Sequence, residues 1–219
     1  SARFRDKYIR FTWEPHGFRD NSALLNFLQD EAVKQFMKEG RDVSRYQQKY
    51  VFEVLDSFNT HHRHNLNAEL GLSLGICDQN DFTLFVGAGQ PSLLHLARFI
   101  HNSLLPQLQQ KYQLILAGLK DADIDEKRTA ELKALLSKLR SMHVDTIINR
   151  YLLPANNPNI HDPSHPLDSP ELPERLRLSP KALLRKLLSL HSSSKFTLNL
   201  SNLSIQDTLE ILYAGKGMF

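Results

Sequence analysis

The chain has one cysteine, Cys77, in 219 residues. A disulfide within the chain is excluded, and so is a structural zinc site built on cysteines. No apolar run approaches the ~20 residues needed to span a bilayer. The first ten residues lack the apolar stretch of a secretory leader, so the expected location is cytoplasmic or otherwise intracellular. The opening Ser1-Ala2 without methionine fits a piece of a longer chain. A net charge of +3 falls short of the concentrated basic charge of nucleic-acid binders, which argues against that partner. It leaves room for an anionic ligand or a membrane surface. There is no Gly-x-Ser-x-Gly elbow, no Walker motif and no full dinucleotide fingerprint.

What is present is ordinary for a globular protein. Hydrophobic residues make up 41% and charged residues 23%, enough for a core without covalent staples. Phe4, Tyr8 and Phe11 fall at i, i+4, i+7 and predict a short opening helix. Leu24, Leu25, Leu28, Ala32 and Phe36 predict a helix over 23–39, with Gly40 as the residue that ends it. A third helix follows, with Tyr46, Tyr50, Val54 and Phe58 on one face. From Leu66 to Ile76 apolar residues then alternate strictly with Asn67, Glu69, Gly71, Ser73 and Gly75. Period 2 predicts a strand, and with the run Phe82–Val86 it predicts a β-hairpin over about 66–86. Helices are expected over 92–105, over 107–119 after an interruption at Pro106, and over 124–153 behind Asp121, Asp123 and Asp125.

Six of the ten prolines lie in 154–173, an extended loop. This divides the chain into 1–153, the loop, and a 174–219 helix–strand–helix segment expected to pack back on the first part. Ser179-Pro180 reads as an N-cap and first helical residue, 196–200 as a strand, and Ser204 with Asp207 as a capping box for a last helix. The expected fold class is α+β, predominantly helical with a small sheet.

Chemistry can sit in several places. His61, His62 and His64 put three imidazoles within four residues. On a strand His62 and His64 share a face and suit acid–base or metal chemistry; a polar loop is the alternative reading. Gly87-Ala88-Gly89-Gln90-Pro91-Ser92 offers a glycine turn before a helix N-terminus, where Gly87, Gly89 and Ser92 with Arg98 can hold a phosphate, or a plain tight connection. His161-Asp162 with His165 sits among prolines, which forbid the helix that a metal phosphohydrolase pattern wants. Arg175, Arg177, Lys181, Arg185 and Lys186, interleaved with leucines, form a basic amphipathic segment for a protein or anionic partner, or an ordinary surface helix. No cofactor or metal follows from these patterns, and an enzymatic role stays open. The leading expectation is an intracellular binding domain contacting a protein or anionic partner. The alternative is phosphoryl transfer or phosphodiester hydrolysis through His62, His64 and the glycine turn.

Overall fold

The computed structural model describes residues 1–119, 125–201 and 203–215. The fold is α+β and predominantly helical, with two small antiparallel two-stranded sheets. The chain divides into two compact units, Ser1–Tyr46 with Pro163–Phe219, and Gln47–Asp162.

In the first unit, β1 (Ala2–Phe4) and β2 (Lys7–Ile9) form a hairpin with Ala2 opposite Ile9 and Phe4 opposite Lys7. Arg5 and Asp6 make the two-residue turn, and Arg5 takes the left-handed φ of 56° that such turns require. The expected opening helix is therefore corrected. Phe4, Tyr8 and Phe11 fit a helical spacing, but the strands bury Ala2 and Ile9 against one another. β3 (Phe11–Pro15) pairs with β4 (Ser194–Leu198), placing Trp13 opposite Phe196. The strand expected at 196–200 exists two residues earlier, and its partner is the N-terminal segment.

The helix expected over 23–39 is two helices. α1 (Asn21–Gln29) is capped by Asp20, and α2 (Glu31–Ser57) starts at Asp30, whose carboxylate accepts from Ala32 N at 2.8 Å and Val33 N at 3.2 Å. α2 then runs straight through Gly40. A Cβ at Gly40 would lie 2.8 Å from Nη1 of Arg175, whose guanidinium sits 4.0 Å over the Phe36 ring. Glycine weakens a helix interior by ~1 kcal/mol, yet here its bare backbone makes room for a cation–π contact. α8 (Glu174–Arg177) and α9 (Pro180–Leu190) follow the proline-rich loop, and Ser179 caps α9 as expected. α10 (Ile205–Ala214) carries the expected capping box. Phe36, Leu183, Leu184, Leu187, Phe196 and Ile211 form the centre of this unit's core.

In the second unit the hairpin expected over 66–86 is absent, and helices stand in its place. α2 passes through a π turn (Phe58–His62) into α3 (Arg63–Leu70), which Gly71 ends at φ 61°. Leu66 and Leu70, four apart, are both fully buried. Residues 72–77 form neither helix nor strand, so the strand read from the alternation is absent. Three side-chain amides hold this segment, each gripping both backbone groups of one residue. Asn67 holds Leu74 (2.8 and 3.0 Å), Gln107 holds Ser73 (2.8 and 3.3 Å) and Asn59 holds Cys77 (2.9 Å twice). Backbone polar groups near a core must be satisfied, and an amide presents the same donor–acceptor pair as a neighbouring strand. The polar run from Asp78 is an N-cap for α4 (Gln79–Val86), with Asp78 accepting from Asn80 N and Asp81 N.

α5 (Leu93–Gly118) continues through Pro106. Asn102, whose carbonyl loses its helical donor there, is on the exposed side, where water can replace it. The helix expected over 124–153 is also split: α6 (Glu126–Arg140), then α7 (Val144–Ile147) with a second π turn to Leu152. Ser141 donates to the Lys138 carbonyl and accepts from Thr146 Oγ1 through its own carbonyl, satisfying the broken ends. Of the expected starting acids, Asp125 caps α6; Asp121 and Asp123 lie outside the described residues. Among the described residues no helix is long and apolar enough to cross a membrane.

Candidate functional site

The residues singled out for phosphate chemistry lie on the first π turn with α3, on the α4–α5 connection and on α5. His61, His62 and His64 lie on the π turn and the start of α3, not on a strand. On helical backbone residues two apart do not face each other, so the shared face assumed for His62 and His64 is lost. The His62 ring packs at 5.7 Å from Tyr151, and its Nε2–H donates to Asn157 Oδ1 at 3.3 Å. His64 is exposed, with its Nε2 3.2 Å from Nη2 of Arg63. Among the described residues no group of three His, Cys, Asp or Glu could hold a metal ion.

Asn157 organises this region. It is buried, donates through Nδ2 to the carbonyls of Tyr151 (2.9 Å) and Leu153 (3.1 Å), and accepts at Oδ1 from Ser57 Oγ at 2.7 Å. It therefore ties one π turn to the other. Its surroundings are those of a structural clamp.

Gly87 and Ser92 stand at helix ends, but the first helix end was expected to be a strand. Gly87 ends α4 with φ 67°, and Ser92 caps α5, accepting from His95 N at 3.3 Å. Ser92 Oγ also meets His95 Nδ1 at 3.0 Å, so the cap is already occupied by protein groups. Gly89 and Arg98 are exposed. Cys77 is buried, and that burial pushes its thiol up to about 11, which keeps it protonated at neutral pH.

The basic segment 175–186 divides in two. Arg175 covers Phe36, Arg177 donates to the carbonyls of Ser169, Pro170 and Leu172, and Lys186 pairs with Glu39 at 2.6 Å. These three hold the first unit together. Lys181 and Arg185 point to solvent.

α10 turns apolar residues outward, as α1 does with Leu24, Leu25 and Leu28, but its own are more exposed at the ends of the stripe. Its buried residues include Asp207 and Ile211, and its exposed residues include Ile205 (82% exposed), Leu209, Leu212 and Tyr213 (89%). Ile205, Leu209 and Leu212 fall at i, i+4, i+7, a continuous apolar stripe facing solvent. The inward Asp207 is held by Lys7 Nζ at 2.8 Å, Arg5 Nη1 at 3.2 Å and the capping box with Ser204. Glu210, the one carboxylate on the exposed side, is bonded to Arg5 at 2.6 Å. The Lys7 ammonium and the Ser204 donors hold the Asp207 carboxyl at about 2, below its ordinary 3.8.

That depression fixes a pH window. A carboxylate with a lowered folded-state value stabilises the fold fully above the ordinary value and loses that contribution as pH falls towards about 2. The first unit is expected to lose stability between pH 4 and 2, and Asp207→Asn is expected to remove that part of the dependence. Fluorescence of Trp13, the only tryptophan, reads this unit alone. An unchanged pH profile in the variant would show that Asp207 titrates normally.

Sequence patterning located α10 and its cap but did not say what its apolar stripe meets. An i, i+4, i+7 stripe is the same in letters whether it meets the protein or solvent. No family model, curated protein or solved structure matches this chain.

Proposed function

We propose that this chain is a protein-interaction domain and that the outer face of α10 is its contact surface. The observation that carries this reading is the inversion of α10, with Asp207 buried and Ile205, Leu209, Leu212 and Tyr213 in water. Burying such a side chain is worth roughly 1.5–3 kcal/mol, so a contiguous exposed stripe is costly unless something covers it. The chemistry of the partner follows from the charge on the stripe. Glu210 is already neutralised by Arg5, leaving nothing for a charged partner to pair with at the centre. The fitting partner is an uncharged apolar protein face, with Lys181 and Arg185 available elsewhere on the unit for acidic groups. The phosphoryl-transfer alternative has no comparable support: the hydrogen bonds of His62 and His64 go to Asn157 and Arg63.

The test is a photo-crosslinking residue at Leu209 of the full chain, expressed in its native cells, with the same residue at exposed Ser137 as control. One discrete adduct is expected at Leu209 and not at Ser137, and it should vanish when Ile205→Glu is added without a change in melting temperature. An adduct that ignores Ile205→Glu, or none above the control, would overturn the reading. An adduct at twice the chain's mass would make the partner a second copy.

A further inference from the structure

A second surface, in the Gln47–Asp162 unit, carries an independent assignment. A groove of about 330 Å³ runs between α5 and the corner joining α6 to α7. Its floor is apolar: Leu108, Leu139 and Met142 are buried, and Leu105 is partly open to solvent. On α5 the lining extends from His101 to Gln113, three turns or about 18 Å at 1.5 Å per residue.

The rim is one-sided in charge. None of the lining residues is acidic, and the guanidinium of Arg140 borders the groove. Arg140 is held in place without being neutralised. Its Nε (3.2 Å) and Nη2 (2.5 Å) both donate to the Tyr112 hydroxyl, and its guanidinium lies 5.3 Å from the Tyr112 ring centre. Arg150 and Arg128 of the same unit are paired with Glu69 and Glu131, but no carboxylate among the described residues meets Arg140. A guanidinium fixed by a phenol keeps donors for an incoming carboxylate at little ordering cost.

We propose that this groove is the binding site for an acidic amphipathic helix of a partner protein. Its three-turn length matches a short helix laid along α5. Its apolar floor accepts residues at i, i+4 and i+7, and Arg140 on its rim selects glutamate or aspartate beside them. Its openness to solvent suits an occupant with one wet face better than an enclosed small molecule. This assignment does not rest on α10.

Fluorescence anisotropy of a labelled helical peptide of about 14 residues, with leucines at i, i+4, i+7 flanked by glutamates, tests it on the full chain at about 0.1 M salt. Saturable binding is expected, at least about tenfold weaker in Arg140→Glu. Gln109→Glu adds an acid to the rim without removing any of these contacts and should weaken binding similarly. Leu209→Glu on α10 should have no effect. Equal binding of the peptide with lysines in place of glutamates would overturn the proposal, as would wild-type affinity in both rim variants. Displacement of the peptide by a medium-chain carboxylic acid that binds more tightly would also overturn it, making the occupant a small amphiphile.

Discussion

Phe82→Ala is expected to destabilise the Gln47–Asp162 unit by about 3–5 kcal/mol, while Leu84→Ala changes it by less than about 0.5 kcal/mol. Phe82 is fully buried, with its ring 5.5 Å from Phe99 and 6.2 Å from Phe52, both edge or tilted contacts. Leu84 is 79% exposed. The contrast discriminates between two local structures. In a strand, residues 82 and 84 point to the same side and both substitutions would be felt. In α4 they lie about 200° apart, and only one reaches the core. Urea unfolding followed by far-ultraviolet circular dichroism gives both values, with the unit's transition fitted separately because two compact units need not unfold together. Two large and similar losses would reinstate the hairpin.

The second large effect is expected at Asn157. Asn157→Leu removes both donors from the carbonyls of Tyr151 and Leu153 and the acceptor from Ser57 and His62. Leaving buried polar groups without partners costs about 1–3 kcal/mol each, and allowing for partial rehydration the loss should be about 3 kcal/mol. Asn157→Asp keeps the acceptor but has no donor for the two carbonyls, so it should cost nearly as much. By contrast His62→Ala, which loses one 3.3 Å hydrogen bond and an aromatic contact, should cost about 1 kcal/mol. If His62→Ala proved the more damaging, Asn157 would not be the clamp between the π turns. The same unfolding experiment reads all three.

Some of this was legible in the residues. Ser179-Pro180 and the Ser204–Asp207 box announce helix starts because capping is local: a side chain bonds to a backbone N–H two or three residues away. Other caps were equally local and passed unread. Asp30 splits one apolar stripe into α1 and α2, and Asp78 begins α4 rather than a hairpin turn. The site fared differently. His62 and His64 share a face only on a strand continuing the alternation that begins just after them, and helical backbone withdraws that face. Arg140 and Tyr112 are 28 residues apart and carry no motif, so nothing in the letters brings them together. Gly40 shows the same limit: a glycine at the end of a periodic run is a helix terminator by propensity, and only the Arg175 guanidinium shows why the helix runs on.

By itself, the sequence determined the helical majority, the caps at Ser179 and Ser204 and, among the described residues, the lack of a helix long and apolar enough to cross a membrane. These depend on neighbours within a turn or on composition. Tertiary structure decided what pairs with 72–77, where Asn59, Asn67 and Gln107 replace a strand, and that β3 rather than a hairpin partners β4. It also decided which apolar stripes are core. Leu66 and Leu70 are buried while Ile205 and Leu209 are not, although both pairs are spaced four apart on helices. Periodicity specifies a face; what that face meets depends on residues far away along the chain.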